Sequence, residues 1–222
     1  IVPFDPETLT TYEAGFKSDL WNNRVRFNGT FFFNRYKDLQ INRYFCPESV
    51  SPTCSQPANA GDADVWGLEA ELFAEPIDNL TIDGAMGYLN FDYTRVDPTT
   101  FVEEDMVAPF NPSWQLSAGM QYKAELGDGI GALTPRVDWT YQSSFYFNSV
   151  NNPDNQIGSR SLFNLRLTYA SDDETWQVST GITNLFDKFY YTGVSENVQN
   201  YGVNTGSVGR PREWFLSVRR TF

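Results

Sequence analysis

The side chains that could do chemistry in this chain are acids and bases spaced for extended backbone. Glu69 and Glu71 stand in G-L-E-A-E, Arg136 and Asp138 in P-R-V-D, and Arg166 in N-L-R-L. Residues two apart project from the same side of a strand, so each pair marks one polar strand face. The run Glu103-Glu104-Asp105 offers hard oxygen ligands to a divalent cation. It lacks the spaced ligands of a calcium loop, and a solvated acidic loop is the plainer reading. Glycines 127, 129 and 131 do not have dinucleotide spacing, and no helix pattern follows them. There is no histidine, which removes Ser-His-Asp and Cys-His catalysis, histidine-ligated zinc and proximal-histidine haem. No enzyme activity, metal or cofactor is expected.

Composition narrows the fold that must position these groups. The 222 residues suffice for one large β domain and include 18 Phe, 12 Tyr and 6 Trp, yet mean hydropathy is only -0.43. No run approaches the roughly 18 apolar residues of a membrane helix. Many aromatics with modest hydropathy suit strands that are apolar on one face only. A net charge of -12 argues against nucleic acid as a partner, which needs a basic face. Cys46 and Cys54 have seven residues between them in a polar stretch. They are either free thiols or, as expected in an oxidising compartment, a short disulfide that staples a loop.

Period-two alternation recurs along the chain, without sustained helical periodicity. Strands are expected over Leu9 to Ser18, Arg24 to Ile41, Ala63 to Glu75, Leu80 to Tyr93, Ser113 to Ala124, Ala132 to Ser144, Ser161 to Ala170 and Trp176 to Leu185, with a closing strand ending at Phe222. In that last strand Trp214, Leu216, Val218 and Phe222 share one face, as a barrel-assembly signal would require, and Arg220 departs from it, free to reach headgroups. The connections alternate short and long, the asymmetry of an outer-membrane barrel with short periplasmic turns and long outer loops. Aromatics gather at strand ends, where rings sit at headgroup level. The fold class is therefore all-β, an antiparallel transmembrane β-barrel fragment of about nine strands. An odd count cannot close antiparallel, so further strands are expected before Ile1.

Local motifs then carry a family resemblance: L-T-T-Y-E-A-G-F-K-S from Leu9, Y-K-D-L-Q from Tyr36, N-A-G-D-A-D-V-W-G-L-E-A-E from Asn59, A-P-F-N-P-S-W from Ala108, D-W-T-Y-Q-S from Asp138, N-L-F-D-K-F-Y from Asn184 and G-R-P-R-E-W-F-L-S-V-R-R-T-F from Gly209. In their order and spacing they resemble the C-terminal part of the β-barrel of TonB-dependent outer-membrane receptors. The resemblance implies a 22-stranded up-and-down barrel around an N-terminal plug, with residues 1–222 as the C-terminal portion and plug and early strands absent.

It also implies a bacterial outer-membrane location and lipid contact. The expected activity is active uptake of a scarce small molecule or metal chelate, most often a ferric siderophore, driven by the TonB complex through the missing N-terminal part. Glu69, Glu71, Arg136, Asp138 and Arg166 become lumen-wall residues that either hold the plug or only hydrate the wall. Substrate contacts are expected from outer-loop aromatics: Tyr44, Phe45, Phe145, Tyr146, Phe147, Tyr190, Tyr191 and Tyr201. Two other classes share the strand physics. One is a passive porin-like or structural barrel. The other is a secreted carbohydrate-binding sandwich, in which Val25, Phe27, Phe31 and Phe33 would pack against a second sheet.

Overall fold

The computed structural model describes residues 4–43, 55–195 and 202–222. Its strands are β1 (Thr8–Leu20), β2 (Val25–Arg43), β3 (Gln56–Ile77), β4 (Leu80–Val96), β5 (Trp114–Tyr122), β6 (Ala124–Glu125), β7 (Ala132–Gln142), β8 (Phe145–Tyr146), β9 (Gln156–Ile157), β10 (Arg160–Ala170), β11 (Trp176–Thr183), β12 (Tyr191–Ser195), β13 (Thr205–Val208) and β14 (Glu213–Arg220). One sheet runs in chain order, β1-β2-β3-β4-β5-β7-β10-β11-β14, with β6 also on β7, and every pairing is antiparallel. The nine long strands match the expected number. β8 with β9 and β12 with β13 form two small hairpins apart from this sheet.

Register places one chemistry on each face. Tyr12↔Phe33, Phe31↔Leu68↔Tyr88, Met86↔Leu116↔Tyr141, Val137↔Leu165↔Ile182 and Val178↔Val218 all fall on the same side. This side is apolar and open: Tyr12 is 64% exposed, Leu216 71% and Trp214 72%. No second sheet covers it among the described residues, so Phe27 and Phe31 do not pack as a sandwich would require. Along its upper border rings run edge to edge. Trp66 lies 5.2 Å from Tyr88 and Tyr88 4.6 Å from Trp114, while Phe163 joins Trp139 to Phe186. Such a continuous apolar face bordered by rings is what lipid contact requires.

Short turns all lie at one end, and backbone geometry explains their brevity. Trp21, Asn22 and Asn23 adopt positive φ between β1 and β2, Asn79 does so between β3 and β4, and Glu174 between β10 and β11. Asn tolerates this region better than most residues.

At the other end β2, β3 and β4 rise beyond the ring border. The stretch expected as a loop from Asn42 to Asp62 is strand from Gln56 onward, and β4 continues to Val96. Local patterning missed this extension because it is held from above. Ile41, Ala60, Ala63, Tyr93 and Val102 are buried together, with Met106 and Val150 packed against them. Val102 and Met106 come from the connection after β4, which folds back over the strands.

Candidate functional site on the inner wall and outer loops

The second face of the sheet is polar, and its rows can be read across the strands. One row runs Gly15↔Thr30↔Glu69↔Gly87↔Gln115↔Gln142↔Arg160; the next runs Lys17↔Asn28↔Glu71↔Ala85↔Ser117↔Thr140↔Leu162. Glu69 and Arg160 thus end a polar stretch four strand spacings wide, about 19 Å at the usual separation of about 4.8 Å. Gly87, Gln115, Ser117, Thr140 and Gln142 lie between them. Together with Glu71, Tyr190 and Thr192 these groups line a hollow of about 640 Å³. Glu69 and Glu71 are exposed and have no ion-pair partner among the described residues.

Arg160 directly precedes the strand expected from Ser161, yet it opens β10. Its Nη2 donates to Gln142 Oε1 at 2.8 Å, and its guanidinium lies 5.1 Å over the Tyr190 ring. Tyr190 therefore faces the inner hollow, and Gly209 lies so close to its ring that a Cβ there would clash. Tyr191, the first residue of β12, is exposed and meets Phe189 edge-on at 5.2 Å. The two tyrosines thus do not share one surface.

Lower on the same face Arg136 is committed within the wall. Its Nη1 and Nη2 donate to the two Asp83 oxygens at 2.8 and 3.0 Å, and its Nε donates to Asp138 Oδ1 at 2.8 Å. The β5 residue beneath this bridge is Gly119. A Cβ there would collide with the guanidinium and lie 2.7 Å from Asp83 Oδ2. Asp83 escaped the sequence reading because nothing local couples it to residues 53 positions away. Arg166 stands opposite Arg136 on β10, exposed and with no ion-pair partner among the described residues. Two inner-face rings lie flat over glycines: Phe32 over Gly67 and Phe215 over Gly181. A ring over a bare backbone covers it without projecting far into the interior.

The outer connections join into one body. Phe145 is 9% exposed, with Ile157 buried across the small hairpin. Phe110 meets Phe147 edge-on at 4.7 Å and donates its backbone N–H to the Tyr146 carbonyl at 2.9 Å. Asn151 accepts from Val107 N at 2.7 Å and donates to Val107 O at 3.0 Å. Phe145 and Phe147 thus serve loop packing, and Tyr146 is half-buried. Glu103-Glu104-Asp105 is exposed, and no cluster of metal-ligating side chains occurs among the described residues. Tyr44, Phe45, Tyr201, Cys46 and Cys54 lie outside the described residues.

The motif N-L-F-D-K proves to be a stitch. Asn184, 5% exposed at φ 49°, accepts from Lys188 N at 2.8 Å and donates to the Lys188 and Arg210 carbonyls at 2.9 and 3.2 Å. Asp187 Oδ1 accepts from Arg212 N at 2.8 Å. The turn after β11 is thereby tied to the chain entering β14. The face with Trp214, Leu216 and Val218 is exposed along the whole of β14, and Phe222 is exposed beyond its end.

Comparison with known proteins agrees with this architecture. The family model described as TonB dependent receptor-like, beta-barrel, matches residues 2–185. A ferric-pyoverdine M114 receptor of Pseudomonas sp. (strain M114) is 29% identical over 216 residues, covering 96% of this chain and 24% of the relative. This chain thus spans about a quarter of that protein's length. Among solved structures, the ferric yersiniabactin uptake receptor of Yersinia pestis superposes at TM-score 0.81 with 21% identity, over 100% of this chain and 31% of its own. The ferripyoverdine receptor of Pseudomonas aeruginosa does so at 0.73 with 20% identity, over 98% and 27%. A copper transporter reaches 0.71 with 19% identity, over 99% and 32%, so these structural likenesses speak to fold alone. With an apolar lipid face, a polar inner wall, short turns at one end and that family match, the chain belongs to the β-barrel domain of TonB-dependent receptors and resides in the bacterial outer membrane.

Proposed function

We propose that the chain is the C-terminal part of a receptor barrel that imports a ferric siderophore, without catalysing a reaction. A plug domain would fill the lumen and a TonB complex would drive the transport; both belong to the longer protein. The observation that carries the reading is the inner-wall hollow between Glu69 and Arg160, which Tyr190 and Thr192 of the last outer connection help to line. Its central groups are neutral hydrogen-bonders, which suit a wetted surface that a plug or solute touches without being fixed. Glu69 and Glu71 have no ion-pair partner among the described residues, which supports a role for them in receiving cationic groups of the plug. Arg160 over Tyr190 would serve the solute, since an anionic oxygen can approach the guanidinium edge that the ring contact leaves open. The ferric-pyoverdine relative supports iron chelates as the substrate class.

The test is growth on a ferric siderophore as sole iron source, with the full-length gene deleted and then restored. Restoration of growth and of iron uptake by wild type, but not by Glu69→Ala/Glu71→Ala, is expected. Unimpaired uptake in the deletion strain, with no other receptor for that chelate, would overturn the reading.

A further inference from the structure

Arg220 stands on the lipid-facing row of β14, opposite Trp176 and in line with Val218 and Leu216. A charge on that face is costly unless it finds a partner, yet Arg220 has no ion-pair partner among the described residues. It is held by rings instead: its guanidinium carbon lies 5.0 Å over Trp176 and 4.7 Å over Phe222. Ring contact occupies the faces of a guanidinium and leaves its in-plane N–H donors available. The backbone below is pinned, since Thr221 N donates to the Thr175 carbonyl at 2.9 Å. This end of the sheet carries the short turns. On the same face an apolar hollow of about 420 Å³ includes Leu165, Leu167, Thr180, Ile182 and Trp214. Thr180 lies four residues along β11 from Trp176, about 13 Å of strand, a distance that one acyl chain spans.

We propose that Arg220, with Trp176 and Phe222, is a binding site for an anionic phospholipid of the periplasmic leaflet. The phosphate is taken at the guanidinium edge, and one acyl chain runs toward the hollow at Thr180. Charge complementarity selects the occupant: among the described residues Arg220 is a cation without an ion-pair partner at headgroup level, and the leaflet supplies anions.

The experiment uses the full-length receptor, delipidated in detergent and titrated with phosphatidylglycerol or phosphatidylcholine by native mass spectrometry. Wild type is expected to retain one phosphatidylglycerol in preference to phosphatidylcholine. Arg220→Gln should weaken that retention about fivefold, the factor for one cation near an anionic surface, and Arg219→Gln, on the opposite face, should not. Should Arg220→Gln not assemble, Thr180→Phe, which fills the hollow and keeps the charge, is expected to lose the lipid. Equal retention by wild type and the Arg220 variant, or equal loss by the Arg219 variant, overturns the proposal. So does a stability loss in Arg220→Gln that is the same with either lipid, because the charge would then answer a partner within the protein.

Discussion

Arg136 grips both carboxylate oxygens of Asp83 across an intervening strand, and the residue at the crossing is Gly119. The guanidinium spans β4 to β7 only because β5 presents no side chain there. Asp138 accepts from the same group, so the cation is shared between two anions and held by geometry as well as charge. Side-chain exposure of 17% for Arg136 against 39% for Asp83 places the bridge between a buried and a surface pair.

Removing the cation from this bridge should cost more than removing one anion. Arg136→Ala leaves two carboxylates facing each other, whereas Asp83→Ala leaves Arg136 paired with Asp138. Denaturant unfolding of the refolded full-length barrel is expected to show a loss of about 1–3 kcal/mol for Arg136→Ala and less for Asp83→Ala. Gly119→Val should destabilise while both charged partners remain, because it blocks their path.

The flattened ring over Gly67 makes a second stability prediction. A Cβ at that position would stand 2.5 Å from Phe32 Cζ and would also clash with the Tyr88 carbonyl. Gly67→Ala should cost about 1–3 kcal/mol in the same assay, as overpacking does. The double variant with Phe32→Ala should recover only part of the loss, since the carbonyl stays in place.

Asn184 predicts the behaviour of the last hairpin. Asn184→Ala removes bonds to Lys188 and Arg210 and puts a residue less tolerant of positive φ at 49°. Amide hydrogen exchange should quicken at Lys188 and Arg212, whose N–H groups donate to Asn184 Oδ1 and Asp187 Oδ1 in this turn, and stay unchanged at the β1–β2 hairpin.

Asp173 supplies a pH signature in the turn between β10 and β11. Its carboxylate accepts from Ser171 Oγ at 2.6 Å and from Thr175 Oγ1 and N at 2.7 and 3.1 Å, which lowers its pKa to about 2. The unfolded chain has an ordinary value near 3.9. The folded value is the lower one, so its stabilisation is complete above about pH 4 and is lost as pH falls from there through about 2. The difference in unfolding midpoint between wild type and Asp173→Ala should therefore be flat from pH 7 to about 5 and shrink below about 4.

For the solute, Tyr190→Ala should weaken binding of a ferric siderophore to the full-length receptor, and Tyr191→Ala should not. Tyr190, just before β12, lies against Arg160, whereas Tyr191 is exposed and meets Phe189. Titration by fluorescence quenching separates the two, and equal effects would count against an inward role for Tyr190.

Alternation, turn residues and the aromatic series determined by themselves that the strands are apolar on one face, which residues share each face, and which end carries the long loops. These are local properties: side-chain direction follows backbone period, and a turn is set by a few residues. The family motifs were legible for the same reason, and the structure explains several as folding devices, such as the Asn184 stitch, rather than as contacts for a solute. Only the tertiary structure decided which distant groups meet. Register brought Asp83 to Arg136 and placed Glu69 and Arg160 in one row, and packing folded the connection after β4 over Ile41 and Tyr93. Each of these depends on strands paired across long separations, where a shift of one residue would reverse every side chain.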